Sequence, residues 1–67
     1  MTAKQYRTAL EALGLTAYGA APWLGVALRT SQNYASGQTA VPEPVARLLR
    51  LVIALKLTPD KTAELWG

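Results

Sequence analysis

The reading of this chain turns on Leu15-Thr16-Ala17-Tyr18-Gly19-Ala20-Ala21-Pro22-Trp23-Leu24-Gly25-Val26-Ala27-Leu28-Arg29-Thr30-Ser31-Gln32-Asn33-Tyr34-Ala35-Ser36-Gly37. Two short helices joined by Leu24-Gly25-Val26 make a helix-turn-helix. Thr16 supplies a hydroxyl cap for the first of them. Ala20 and Ala21 are small, so that helix can lie close against the next one. Gly25 permits the positive φ of a tight turn, and Val26 plugs the corner between the two helices. The second helix runs from about Ala27 to Ser36 and stops at Gly37. Pro22 is the flaw in the pattern: its ring removes the bond to Tyr18 and crowds that carbonyl. With Gly19 adding further weakness, the helix after Thr16 is predicted to be kinked or very short.

Helices extend on both sides. Thr2 and Gln5 have the spacing of a capping box, and behind them Tyr6, Ala9, Leu10 and Leu13 form one apolar helical face. Lys4, Arg7, Thr8 and Glu11 fill the other face, and Gly14 provides a left-handed stop. Gln38 to Val41 reads as a loop, after which Pro42 or Pro44 opens a fourth helix over about 42–57. Thr58-Pro59-Asp60 starts a last helix over about 59–66, with a hydroxyl cap, a proline in the first turn and a carboxylate near the positive dipole end. Nowhere do β-branched residues alternate with polar ones long enough to signal a strand. The expectation is one all-α domain over 1–67, built from four to five short helices. Its core should hold Leu10, Leu13, Ala20, Leu24, Val26, Tyr34, Val45, Leu48 and Leu49.

Composition narrows the function. A chain of 67 residues holds one small domain, and domains this small need disulfides, metal, oligomerisation or a very apolar core. Cysteine and histidine are both absent, so disulfides and nearly all transition-metal sites are excluded, and no cofactor is expected. Catalysis is equally disfavoured. The only carboxylates, Glu11, Glu43, Asp60 and Glu64, are scattered singly, whereas acid–base work needs neighbouring titratable groups. Hydrophobic residues make up 51% of the chain and charged residues 16%, which argues for a folded globule over a disordered tail. A net charge of +3 and an isoelectric point near 9.7 suit a nucleic-acid partner without proving one. The N-terminus lacks the apolar run of a signal peptide, and the uncharged stretch from Ala12 to Leu28 is broken by Gly14, Gly19, Pro22 and Gly25. A soluble cytoplasmic protein without a membrane partner is expected.

In sequence the chain resembles the lambda-repressor/Cro-like (Xre) helix-turn-helix family of prokaryotic and phage regulators. Leu15-Thr16, Ala20-Ala21, Leu24-Gly25-Val26, Arg29-Thr30, Tyr34 and Gly37 carry the resemblance in register and without a gap. Val41-Pro42-Glu43-Pro44-Val45-Ala46-Arg47-Leu48-Leu49 resembles the segment that follows the motif, and the whole likeness covers roughly residues 4 to 57. The chain departs from the family at Ala17, where glutamine is usual, and at Ala27, where serine usually caps the next helix. Ser31 stands at a usually apolar position, Tyr34 replaces the commoner tryptophan, and Pro22 replaces a helix former. The resemblance implies a sequence-specific DNA-binding regulator that lays its third helix in the major groove of double-stranded DNA. Carried over residue by residue, it places Leu28, Arg29, Gln32, Asn33 and Ser36 against DNA. Arg29 can pair bidentately with guanine, Gln32 or Asn33 with adenine, and Leu28 can touch a thymine methyl.

Phosphate attraction must come from outside the motif, because Arg29 is the only charge between Ala12 and Pro42. Lys4, Arg7, Arg47 and Arg50 are the candidates. Arg47 and Arg50 share a narrow arc of the fourth helix, and either grip phosphate or keep that face wet. Trp23 is open in the same way between a core residue and an exposed aromatic for a partner. The fourth helix has an apolar arc about 200° wide at 100° per residue, twice what one small core needs. Such a surplus marks a partner interface, with a membrane-surface helix as the rival reading, disfavoured because only three basic residues flank it. The partner expected is a second copy, with Leu51, Val52, Leu55, Leu65 and Trp66 forming a homodimer contact. The competing reading is a protein-interaction or structural module on the same fold, favoured by the sparse charge.

Overall fold

Thr2 opens the first helix as a capping box: its hydroxyl accepts from the Gln5 N–H at 3.1 Å, and Gln5 Oε1 accepts from the Thr2 N–H at 2.9 Å. The computed structural model describes residues 1–66 and arranges them as five helices. They are α1 (Ala3–Ala12), α2 (Ala17–Leu24), α3 (Leu28–Ser36), α4 (Glu43–Ala54) and α5 (Pro59–Trp66). No strand occurs among the described residues. The fold is all-α, with α2 and α3 as a helix-turn-helix.

Thr16 caps α2 through the Gly19 N–H at 3.0 Å, and Thr58 caps α5 through the Lys61 N–H at 3.1 Å. Gly25, at φ +77°, ends α2 in the left-handed conformation. Its N–H and that of Val26 both return to the Ala21 carbonyl at 3.0 Å, closing the turn that sets α3 against α2. Ala27 provides no side-chain cap for α3, as its missing hydroxyl implies. Pro22 sits inside α2 without breaking it, and the helix is held to two turns. Its ring is solvent-exposed, so Pro22→Ala should restore one helical bond without disturbing packing. The interior penalty of about 3 kcal/mol, less about 1 kcal/mol of rigidity lost from the unfolded chain, predicts a gain of roughly 2 kcal/mol. A thermal midpoint that fails to rise would show that α2 is built around the proline.

The core gathers Tyr6, Ala9, Leu10, Ala20, Tyr34, Val41, Ala46 and Leu49. Leu10, Ala20, Tyr34 and Leu49 take the buried places expected of them. Leu13, Leu24, Val26, Val45 and Leu48 are only half-buried. The difference is one of rotation in α4. Ala46, fully buried and without bulk, lies in the packed face and lets the helix approach closely, so Val45 and Leu48 fall to its edge. Val52, expected at an interface between copies, instead lies in that packed face and is 3% exposed. It is a core residue, on the same side of the helix as Leu49.

A buried polar chain crosses the core. Ser31, fully buried, donates its hydroxyl to the Ala17 carbonyl at 2.7 Å. Its single proton is thereby used, so Tyr6 donates to Ser31 Oγ, also at 2.7 Å. The Tyr6 ring meets Tyr34 edge-on, with centroids 5.6 Å apart. Three helices, α1, α3 and α2, are thus joined through one hydroxyl.

Burial pushes the Tyr6 phenol above its ordinary value of 10.0, although the Ser31 hydrogen bond pulls the other way. The fold therefore favours the neutral phenol, and this part of stability is full below pH 10 and declines as pH climbs towards the raised value. Urea midpoints measured from pH 8 to 11 should fall at the alkaline end, and Tyr6→Phe should flatten that fall. An equal fall in the variant would assign it to other groups.

Two turns share one frame. Ala12-Leu13-Gly14-Leu15-Thr16 ends α1 and caps α2, and Ala54-Leu55-Lys56-Leu57-Thr58 does the same for α4 and α5. In each, the second residue after the helix has positive φ, +72° at Gly14 and +57° at Lys56. The bonds match as well: Leu15 N–H to Leu10 C=O at 2.8 Å, and Leu57 N–H to Val52 C=O at 3.1 Å. This turn stops α4 at Ala54, short of the Leu57 that apolar periodicity predicts.

Candidate nucleic-acid interface

α3 is held from its inner side and open on its outer one. Ser31 and Tyr34 anchor it in the core. At its far end Arg7 donates from Nη1 to the Ala35 carbonyl, placing a guanidinium at the negative end of the helix dipole. Gly37, at φ +86°, then closes the helix. Arg7 is thus a structural tie to α3, a role its place on the polar face of α1 did not reveal.

Leu28, Arg29, Gln32 and Ser36 lie exposed on the outer face, with Asn33 half-buried beside them. The five recur at helical spacing, so α3 brings together the residues that the sequence singled out. They differ in freedom. Ser36 donates to the Asn33 carbonyl at 3.3 Å and accepts from the Gln38 N–H at 3.4 Å, finishing its own helix. Arg29 and Gln32, one turn apart, are the exposed side chains with forked or paired donors. Tyr18 of α2, 70% exposed, is a further aromatic on the helix-turn-helix that sequence reasoning did not single out.

The two arginines of α4 converge on one carboxylate. Arg47 Nε lies 3.5 Å and Arg50 Nη1 3.3 Å from Glu43 Oε1. All three side chains are more than half exposed, so each pair adds little stability. The trio nevertheless carries a net charge of +1 in place of +2, which lowers what it offers to phosphate. Glu43 precedes Arg47 by one helical turn, a spacing from which the pairing was legible.

The apolar strip has a second part on α5. Leu51 and Leu55 are 57% and 59% exposed, and Leu65 and Trp66 are 74% and 48% exposed. These four leave a broad surface uncovered where Val52 does not. Trp23 is neither wholly core nor free. Its indole N–H donates to Thr62 Oγ1 at 2.7 Å, and its ring meets Trp66 with centroids 5.1 Å apart. Thr62, 2% exposed, passes its proton to the Pro59 carbonyl at 2.9 Å. One face of Trp66 is therefore already used within the chain.

Comparison with known families, characterised proteins and solved structures finds no match for this chain. No helix among the described residues is long and apolar enough to cross a membrane. Nor do the described residues bring together three groups able to hold a metal ion.

Proposed function

We propose that this domain binds double-stranded DNA as a homodimer and regulates transcription in the cytoplasm of a prokaryote or in a phage-infected cell. It acts by binding and carries out no catalysis. α3 enters the major groove, with Arg29 and Gln32 reading base edges and Leu28, Asn33 and Ser36 flanking them. Arg47 and Arg50 act on phosphate, in exchange with Glu43. The observation that carries this reading is the outer face of α3: an exposed stripe with one forked cation, projecting from a helix-turn-helix whose inner face is locked by Ser31 and Tyr34. The resemblance to the Xre family supports the same role.

Selection from a random duplex library, followed by titration of the enriched site, tests the proposal. Arg29→Ala should cost about 1–3 kcal/mol on that site and flatten the preference among sites. Arg47→Ala should weaken all duplexes alike and lower the salt slope by about 1. A wild-type affinity in Arg29→Ala would remove α3 as the reader.

A second reading has its own support. The helix-turn-helix carries Arg29 as its only charge while exposing Tyr18 and Leu28, a surface closer to a protein contact than to a phosphate grip. Absence of an enriched duplex at low salt would favour that module.

A further inference from the structure

We infer that α5 is exchanged between two copies of this chain, each copy seating its last helix against Trp23 of the other. The inference rests on the homodimer reading and says how that dimer is made. The turn between α4 and α5 is the point of weakness. It repeats the frame that ends α1, but with Lys56 where the first copy has Gly14. Both residues have positive φ. Glycine takes that conformation freely, and a lysine does not. Lys56 is the one non-glycine residue with positive φ among the described residues.

The strained turn has an unstrained alternative. Lysine and leucine are good helix formers, so α4 can run on through Leu55, Lys56 and Leu57. The two backbone bonds of the turn, Lys56 N–H to Ile53 C=O and Leu57 N–H to Val52 C=O, are then replaced. Lys56 bonds to Val52 and Leu57 to Ile53 in ordinary helical register, and no donor is lost. Thr58 precedes Pro59 and stays extended, so the lengthened helix ends there. The apolar period of α4, which runs on to Leu57, fits this longer form.

The turn is also exposed: Lys56 lies in solvent, and a solvent-open depression of about 300 Å³, lined by Leu13, Ile53, Lys56, Leu57 and Pro59 among others, lies against it. The seat of α5 is one compact cluster, the Trp23–Thr62 hydrogen bond and the Trp23–Trp66 ring contact. A partner's α5 remakes both contacts unchanged, so exchange costs no native interaction at the seat. What it gains is release of Lys56 in both chains and cover for Leu51 and Leu55, beside the point where the chains cross.

Equal amounts of ordinary and nitrogen-15 chains, unfolded and refolded together, test this with p-benzoyl-phenylalanine in place of Trp66. After irradiation, exchange predicts that about half of the cross-links from position 66 to the α2 peptide join chains of different isotope. Exclusively same-isotope cross-links in a species of dimer mass would overturn the exchange and leave the dimer standing. A strictly monomeric mass in sedimentation would overturn both. Lys56→Gly, which removes the strain, should weaken dimerisation at least about tenfold and raise the melting point of the monomer. An unchanged dimer constant in that variant would also overturn the exchange.

Discussion

Ser31→Ala should cost roughly 1–3 kcal/mol, because it strands the Tyr6 hydroxyl in the core. A domain of 67 residues has only about 3–10 kcal/mol in hand, so the loss is a large share of its stability. Tyr6 is fully buried and has Ser31 Oγ as its hydrogen-bond partner. Removing the serine takes away the acceptor and leaves a phenol with neither water nor protein to bond. Tyr6→Phe should be milder, about 1 kcal/mol, since Ser31 still donates to the Ala17 carbonyl. The decisive variant carries both changes. With the phenol and the serine hydroxyl both gone, nothing polar is stranded, because the Ala17 carbonyl keeps its helical partner. The double variant should therefore be more stable than Ser31→Ala alone. Urea unfolding of the four proteins measures the cycle, and simple additivity would mean that the hydroxyls are not coupled.

The same pair marks the boundary of what local sequence patterns reveal. Thr2 with Gln5, Gly25 and Gly37 announced their caps because each acts within a few residues of itself. The stripe from Leu28 to Ser36 follows from the ungapped resemblance of the motif, which fixes the register of α3 and so its outer face. Ser31 looked like a departure at an apolar position until its partner appeared on α1. That partner lies 25 residues away, and no period links the two. Trp23 was ambiguous because its hydrogen bond reaches Thr62, across 39 residues. α4 reads as too long for another reason: Lys56 favours helix by propensity, whereas the backbone bonds of the turn hold it in the left-handed region. A wide apolar arc does not say which part faces inward, and so it places Val52 with the interface when its side chain is buried. Ala46 decides that by its size.

Leu55→Glu should abolish the proposed dimer and, with it, nearly all binding to a palindromic site. Leu55 is 59% exposed and lies just past the end of α4, so the substitution leaves the core untouched and the fold within about 0.5 kcal/mol. At a twofold interface it acts twice, driving two carboxylates into an apolar contact without partners. A twofold axis would place two α3 helices about 34 Å apart, one duplex turn, so that half-sites would add their affinities. Losing that linkage should cost about 10²–10⁴ in affinity for the full site, with half-site binding nearly unchanged. A new negative charge would also weaken phosphate attraction by itself, so Leu55→Lys is the companion variant. Lysine adds attraction to DNA yet still buries a charge at the dimer contact. If dimerisation carries affinity, both variants sediment as monomers and both lose the full site. If only charge matters, the lysine variant binds more tightly than wild type while the glutamate variant binds less. Retention of full-site binding by a monomeric Leu55→Glu would place recognition within a single copy and assign the exposed strip to another partner.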